Sequence, residues 1–158
     1  MSKTIVLAVD TARRELSGHV AAAVEVTKDV AHADDKVIVL HVHEFAVGRF
    51  GRMQVDCADG QGESLVASIV EDLTGAGLSA EAAIREADLG YVARAILTAA
   101  AQCQARLLVL GSSSRTDLPL ISFGSVASRL LHIASIPVLI VPMRATESAS
   151  VGAQAAGK

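Results

Sequence analysis

The sequence predicts an α/β fold built on a parallel sheet with helices on both faces. Five short runs rich in Val, Ile and Leu have strand length, and four of them are nearly continuous apolar, as strands buried on both faces should be. Between them lie longer segments in which apolar residues recur every three to four positions, the period of a helix with one buried face. Strand and helix therefore alternate, which calls for right-handed crossovers in a single doubly covered sheet.

Taken in order, the first run is Thr4 to Val9 (TIVLAV), ending at Asp10. Ala12 to Ala31 then places Leu16, Val20, Ala23 or Val24, Thr27 and Val30 on one helical face. The second run, Lys36 to Val42 (KVIVLHV), is followed by residues 45–62 (FAVGRFGRMQVDCADGQG), read as a long glycine-punctuated loop and therefore as functional or mobile. Glu63 to Thr74 repeats Leu65, Val66, Ile69, Val70 and Leu73, and Gly75-Ala76-Gly77 ends that helix. The third run, Leu78 to Arg85, is alanine-rich and only partly alternating. A helix over Leu89 to Gln104 leads to the fourth run, Arg106 to Leu110 (RLLVL). Ser125 to Ser135 is the last helix, stopped by Pro137, which opens the fifth run, Pro137 to Val141 (PVLIV). Residues 145–158 are small, polar and aperiodic and read as a disordered tail, leaving one domain over residues 1–144.

Composition narrows the function. With 51% hydrophobic and 20% charged residues, a chain of 158 residues buries one core without staples. A net charge of −3 gives no basic surface for nucleic acid, and 3% aromatic residues give no platform for stacking bases. No apolar run approaches the ~18 residues of a membrane span, and the N-terminus lacks a signal-peptide layout, so the expected location is the cytoplasm. Cys57 and Cys103 make neither a disulfide framework nor a Cys-x-x-Cys pair. Motifs for fast catalysis are missing: no G-x-S-x-G elbow, no G-x4-G-K-(S/T) loop, no G-x-G-x-x-G turn, and no residue that stands out as a general base.

The informative stretch follows the fourth strand: GSSSRTDLPLISFGS, residues 111–125. In an open parallel sheet ligands bind beyond the carboxyl ends of the strands, where strand order reverses. If the first and fourth strands flank that reversal, Asp10 and Gly111 meet there. Glycine admits a ligand close to the backbone, and Gly124-Ser125 opens the last helix, where free N–H groups and the helix dipole favour an anion. Serine hydroxyls at 112, 113, 114 and 125 add neutral donors and Arg115 a cation, while the acceptor-only Asp10 suits a ribose hydroxyl. For any one of these residues the plainer reading is a turn glycine or a helix-capping serine; the combined spacing is what points to a site.

That spacing, Gly111, two residues, Ser114, nine residues, Gly124-Ser125, resembles the G-x2-G-x9-G-(S/T) nucleotide motif of universal stress proteins. The resemblance extends over roughly residues 3–142: the opening IVLAVD, the second-strand ending LHV, the LLVLGS run and the closing GSVASRLLHIASIPVLIVP. It implies a Rossmann-like, open five-stranded parallel sheet of order 3-2-1-4-5 and a homodimer paired through the last strand, Pro137 to Val141. It also implies ATP or another adenine nucleotide as cofactor, with Mg²⁺ admissible beside it. Carried over by position, Asp10 and Gly111 contact the ribose, the Val42 backbone contacts adenine, and Ser114, Gly124, Ser125 and Val126 take the phosphates. One departure stands out, since the second motif glycine is Ser114. Serine costs about 1 kcal/mol if the backbone there is left-handed, and closes the site if phosphate needs the space of a missing Cβ. The resulting expectation is a nucleotide-binding regulatory or stress-protective module, at most a slow ATP hydrolase. The alternative is a nucleotide-free dimer acting through its surface with unidentified protein partners. An apolar last strand at the sheet edge fits pairing between copies under either reading.

Three further groups carry weaker signals. His41 and His43 share one face of a strand, a placement that metal-binding pairs can take, yet no neighbouring Asp, Glu or Cys completes a ligand set in sequence, so both read as packed or rim histidines. Arg49 and Arg52 read as solvated loop charges. Cys57, in the same loop, reads as an exposed thiol, and Cys103 as a small residue at the core boundary.

Overall fold

The computed structural model describes residues 2–10, 18–57, 60–112 and 124–142. Among the described residues, six strands and four helices follow one another as β1 (Thr4–Ala8), α1 (Gly18–Val30), β2 (Lys36–Gly48), β3 (Gly51–Gln54), α2 (Gln61–Gly75), β4 (Ser79–Asp88), α3 (Val92–Gln102), β5 (Ala105–Ser112), α4 (Ser125–Ile133) and β6 (Val138–Pro142). The α/β alternation is as expected, but the sheet is mixed and six-stranded rather than parallel and five-stranded. Its five parallel strands run β4-β2-β1-β5-β6, and β3 adds an antiparallel pairing to β2.

The extra strand lies in the segment expected to be a loop. Phe45 pairs with Gln54 and Gly48 with Gly51, so residues 45–54 form a hairpin around Arg49 and Phe50. Gly51, at φ 112°, takes a backbone conformation that a side chain would strain. Carbonyls along a strand alternate between its two edges. The Leu40 carbonyl accepts from Val9 N–H, and the Glu44 carbonyl, four residues on, accepts from Val55 N–H. The hairpin therefore continues the β1 edge of β2 past the end of β1, over the carboxyl end of the sheet. Arg52 is not simply solvated there: it bonds Glu86 on β4 at 2.6 Å and stacks 3.9 Å over the Phe45 ring. The outer part of the hairpin exposes Val47, Phe50 and Met53.

The two faces of the sheet explain the sequence periods. In β1, Ile5 and Leu7 join Val20, Ala23 and Val24 of α1 and Val66, Ile69 and Leu73 of α2 on one face. Val6, between them, points to the other face and packs with Ala93, Ile96 and Ala100 of α3 and Ala127 and Leu130 of α4. Strands covered on both faces lose the polar positions that would otherwise alternate. Fully burying each Leu or Ile stabilises by about 1.5–3 kcal/mol. At the amino end of the sheet, buried Asp35 accepts Arg106 Nη2 at 2.6 Å and the His32 N–H at 3.0 Å, tying the turn before β2 to β5. Packing and charge lock this end of the sheet. No helix among the described residues is long and apolar enough to cross a membrane. The expected tail at 145–158 lies outside the described residues.

Candidate functional site

A cleft of about 330 Å³ opens beyond the carboxyl ends of β1 and β5, within the volume range typical of small-molecule sites. Its floor comes from Ala8 of β1 and Val9 and Asp10 after it, Leu40 to Val42 of β2, and Leu110 and Gly111 of β5. Gly124 to Ala127 of α4 form one wall, Val92 and Ile96 of α3 another, and the hairpin brings in Val55 and Asp56. The position is the one the topology dictates: β1 pairs with β2 on one side and β5 on the other, so successive crossovers leave in opposite directions and part the loops.

Six of the expected site residues, Asp10, Val42, Gly111, Gly124, Ser125 and Val126, line this one cleft. Ser114 and Arg115 lie outside the described residues. Gly124 is the N-cap of α4, and the first bond of that helix runs from Ser128 N–H to the Gly124 carbonyl. The N–H groups of Ser125, Val126 and Ala127 thus have no acceptor within the helix, in the geometry that suits an anion. Gly111 has a packing reason of its own to be glycine. A Cβ there would collide with the backbone carbonyl of His19, with the carbonyl carbon at 2.7 Å, so the first turns of α1 close directly onto the end of β5. Ser112, expected as a donor, is buried at the end of β5 opposite Pro142.

The second concentration of polar chemistry adjoins the cleft at His41. Both histidines of β2 are buried, His41 to 2% exposure and His43 to 6%. The fold brings in acidic and sulfur neighbours from farther along the chain. Asp56 Oδ2 lies 2.9 Å from His41 Nε2, 3.1 Å from His43 Nδ1 and 3.1 Å from Cys57 Sγ, and Asp56 Oδ1 accepts the Glu44 N–H at 3.0 Å. On their far sides, His41 Nδ1 donates to the Val9 carbonyl at 3.0 Å and His43 Nε2 to Glu63 Oε1 at 2.8 Å. Cys57 is therefore half-buried beside His43 rather than an exposed thiol. Burial would raise the Asp56 carboxyl, but bonds from Cys57, His41, His43 and the Glu44 N–H outweigh it and hold the group well below the usual carboxylate range. Burial likewise opposes charge on His43, yet its bonds to Glu63 and Asp56 win and raise its pKa. The His43 bond in turn lowers Glu63.

Over residues 1–142 the chain matches the universal stress protein family. It belongs to that family. Three solved universal stress proteins share its fold. One from Archaeoglobus fulgidus superposes with a TM-score of 0.67 at 19% identity, over 89% of this chain and 94% of the other. One from Arabidopsis thaliana, solved with AMP bound, gives 0.66 at 20% identity over 92% and 94%. Another from A. fulgidus, in complex with dAMP, gives 0.63 at 20% identity over 88% and 97%. No curated protein sequence matches the chain.

Within the universal stress protein fold, the residues that sequence reasoning missed flank the hairpin or lie on α2: Glu44, Val55 and Asp56 on the cleft, and Cys57 and Glu63 behind it. The signal was present but faint. Gly48-Arg49-Phe50-Gly51 is a two-residue connection flanked by glycines, the mark of a tight hairpin, and a hairpin at that point folds Asp56 back onto β2.

Proposed function

We propose that this universal stress protein binds an adenine nucleotide in the cleft and serves as a regulatory or stress-protective module. The observation that carries the reading is the convergence of Asp10, Gly111 and the N-terminus of α4 on one cavity that Val9, Leu40, Val42, Ile96 and Leu110 line with apolar side chains. Apolar walls suit the faces of a purine, the Asp10 carboxylate accepts ribose hydroxyls, and the N–H groups of Ser125 to Ala127, which have no acceptor within the helix, suit a phosphate. The AMP and dAMP complexes of similar folds support the same assignment.

The charge around the cleft selects among nucleotides. Asp10, Glu44 and Asp56 are acidic, and among the described lining residues there is no Lys or Arg. One helix terminus supplies only about half a positive charge. A monophosphate therefore fits better than a triphosphate, unless Mg²⁺ accompanies the latter. The test is to acid-precipitate the purified protein, assay the supernatant for nucleotide, and titrate AMP, ADP and ATP by calorimetry with and without Mg²⁺. The expected result is saturable binding, AMP ahead of metal-free ATP, lost in Gly124→Val and weakened in Asp10→Ala. No released nucleotide and no heat up to millimolar ligand overturns the reading.

A second reading, a nucleotide-free dimer that works through its surface, draws on β6. Pro137 directs its carbonyl to Leu108 N–H on β5, so by alternation Val138 and Ile140 turn their backbone groups to the outer edge of the sheet. An apolar edge that no strand among the described residues covers favours pairing with a second copy, and Pro142 limits how far such pairing extends. Dimerisation through β6 is compatible with either reading and is tested by sedimentation.

A further inference from the structure

We propose that His41, His43, Asp56 and Cys57 form a tetrahedral binding site for a zinc-type divalent cation, which fastens the β2–β3 hairpin to the sheet. One donor atom from each residue lies within 4.8 Å of all the others. Three of the spacings are 2.9, 3.1 and 3.1 Å, and Cys57 Sγ stands 3.9 Å from His43 Nδ1. A tetrahedral zinc ion with bonds of about 2.0–2.3 Å separates its ligands by about 3.3–3.7 Å. The four donors bracket that spacing, and small side-chain rotations complete it.

The hydrogen bonds around the cluster leave its inner donor atoms turned toward one another, as a cation site needs. The Val9 carbonyl and the Glu63 carboxylate only accept, so each neutral imidazole must carry its proton on the outer nitrogen, Nδ1 of His41 and Nε2 of His43. In that form the inner nitrogens, Nε2 of His41 and Nδ1 of His43, turn their lone pairs toward the Asp56 carboxylate, to which they donate when protonated. A divalent ion between them takes the place of those inner protons, and Cys57 completes the set as thiolate, its proton leaving to solvent.

Three of the four ligands are also held from behind, as metal ligands are. His41 is oriented by the Val9 carbonyl, His43 by Glu63, and Asp56 by the Glu44 N–H on its second oxygen. Two neutral imidazoles, one carboxylate and one thiolate balance a 2+ ion, so the filled site is neutral and burial costs little. The donor set is too soft for Mg²⁺ or Ca²⁺, and four protein ligands leave no open position, which marks a structural rather than a hydrolytic site. Gly62 of α2 lies against the rings, where a Cβ would fall 2.6 Å from His41 Cδ2 and 2.9 Å from His43 Cε1. This site does not depend on the nucleotide reading, although Asp56 and His41 face both.

The test uses the full chain, stripped with a chelator and then titrated with Zn²⁺ and, separately, Co²⁺ in the absence of nucleotide. The expected result is one equivalent per chain, with a tetrahedral cobalt spectrum that includes a thiolate charge-transfer band. That band disappears in Cys57→Ser, and Glu63→Gln, which touches only the outer nitrogen of His43, weakens Zn²⁺ binding about 10- to 100-fold. Circular dichroism checks that both variants are folded. Folded wild-type protein that takes up no stoichiometric Zn²⁺ overturns the proposal, as does a cobalt spectrum or a Zn²⁺ affinity unchanged by Cys57→Ser.

Discussion

Replacing Gly62 by alanine separates two effects that usually travel together. In a helix interior alanine is favoured over glycine by up to about 1 kcal/mol. At Gly62, however, the new methyl would sit 2.6 Å from His41 Cδ2, and reaching an ordinary contact of 3.4 Å moves the ring by about 0.8 Å. His43 Cε1, at 2.9 Å, needs only about 0.5 Å. The larger shift can stretch the 3.0 Å bond from His41 Nδ1 to the Val9 carbonyl beyond hydrogen-bonding range, and the smaller lengthens the 2.8 Å bond from His43 Nε2 to Glu63 to about 3.3 Å. Losing the first and weakening the second costs about 1.5–3 kcal/mol. The net expectation is a loss of about 1–2 kcal/mol, or a fall in Tm of about 3–8 °C for a chain of this size. Gly75, in the last turn of the same helix, has open space where its Cβ would be. Gly75→Ala is expected to raise stability by about 0.5–1 kcal/mol. Paired thermal and urea denaturation of the two variants reads the difference. If Gly62→Ala proves as stable as Gly75→Ala, the imidazoles are not seated beneath α2 as described.

Other consequences are as direct. Leu130→Ala empties a fully buried position between α4 and the sheet, with an expected loss of about 2–5 kcal/mol by urea denaturation, and it loosens the helix whose N-terminus lines the cleft. Asp35 is held below the usual carboxylate range by Arg106 and by the His32 N–H, so its contribution is present above its unfolded value of about 3.9 and is lost as pH falls through the lower folded value. Asp35→Asn should therefore lower stability at neutral pH and flatten the fall measured from about pH 5 to pH 2; an unchanged acid limb contradicts the pairing. Ile140→Pro removes one outward N–H of β6 without taking a bond from β5. Sedimentation should show a weakened dimer, and an unaltered dimer excludes the β6 edge as the interface.

Much of this protein was legible in its sequence, for identifiable reasons. Runs such as TIVLAV and RLLVL could satisfy themselves only inside a doubly covered sheet, and the 3.6-residue repeats between them had to be its cover. The spacing of Gly111, Gly124 and Ser125 after the fourth strand likewise marked the carboxyl end of the sheet, because chain order and crossover handedness leave a ligand few other places. Strand pairing, in contrast, is a long-range matter. Residues 45–54 carry no apolar run that demands burial, so their pairing as a hairpin is decided by β2 projecting past β1 and offering an unpaired edge. Gly111 looked like a ligand contact, but it is also the point where the His19 backbone closes on β5. The largest gap between sequence and structure is at His41 and His43. Their partners Asp56, Cys57 and Glu63 are 13 to 20 residues away from them, and neither composition nor period brings them together. Folding the hairpin back and laying α2 on the rings does so, because only tertiary structure turns separate residues into one buried constellation of donors.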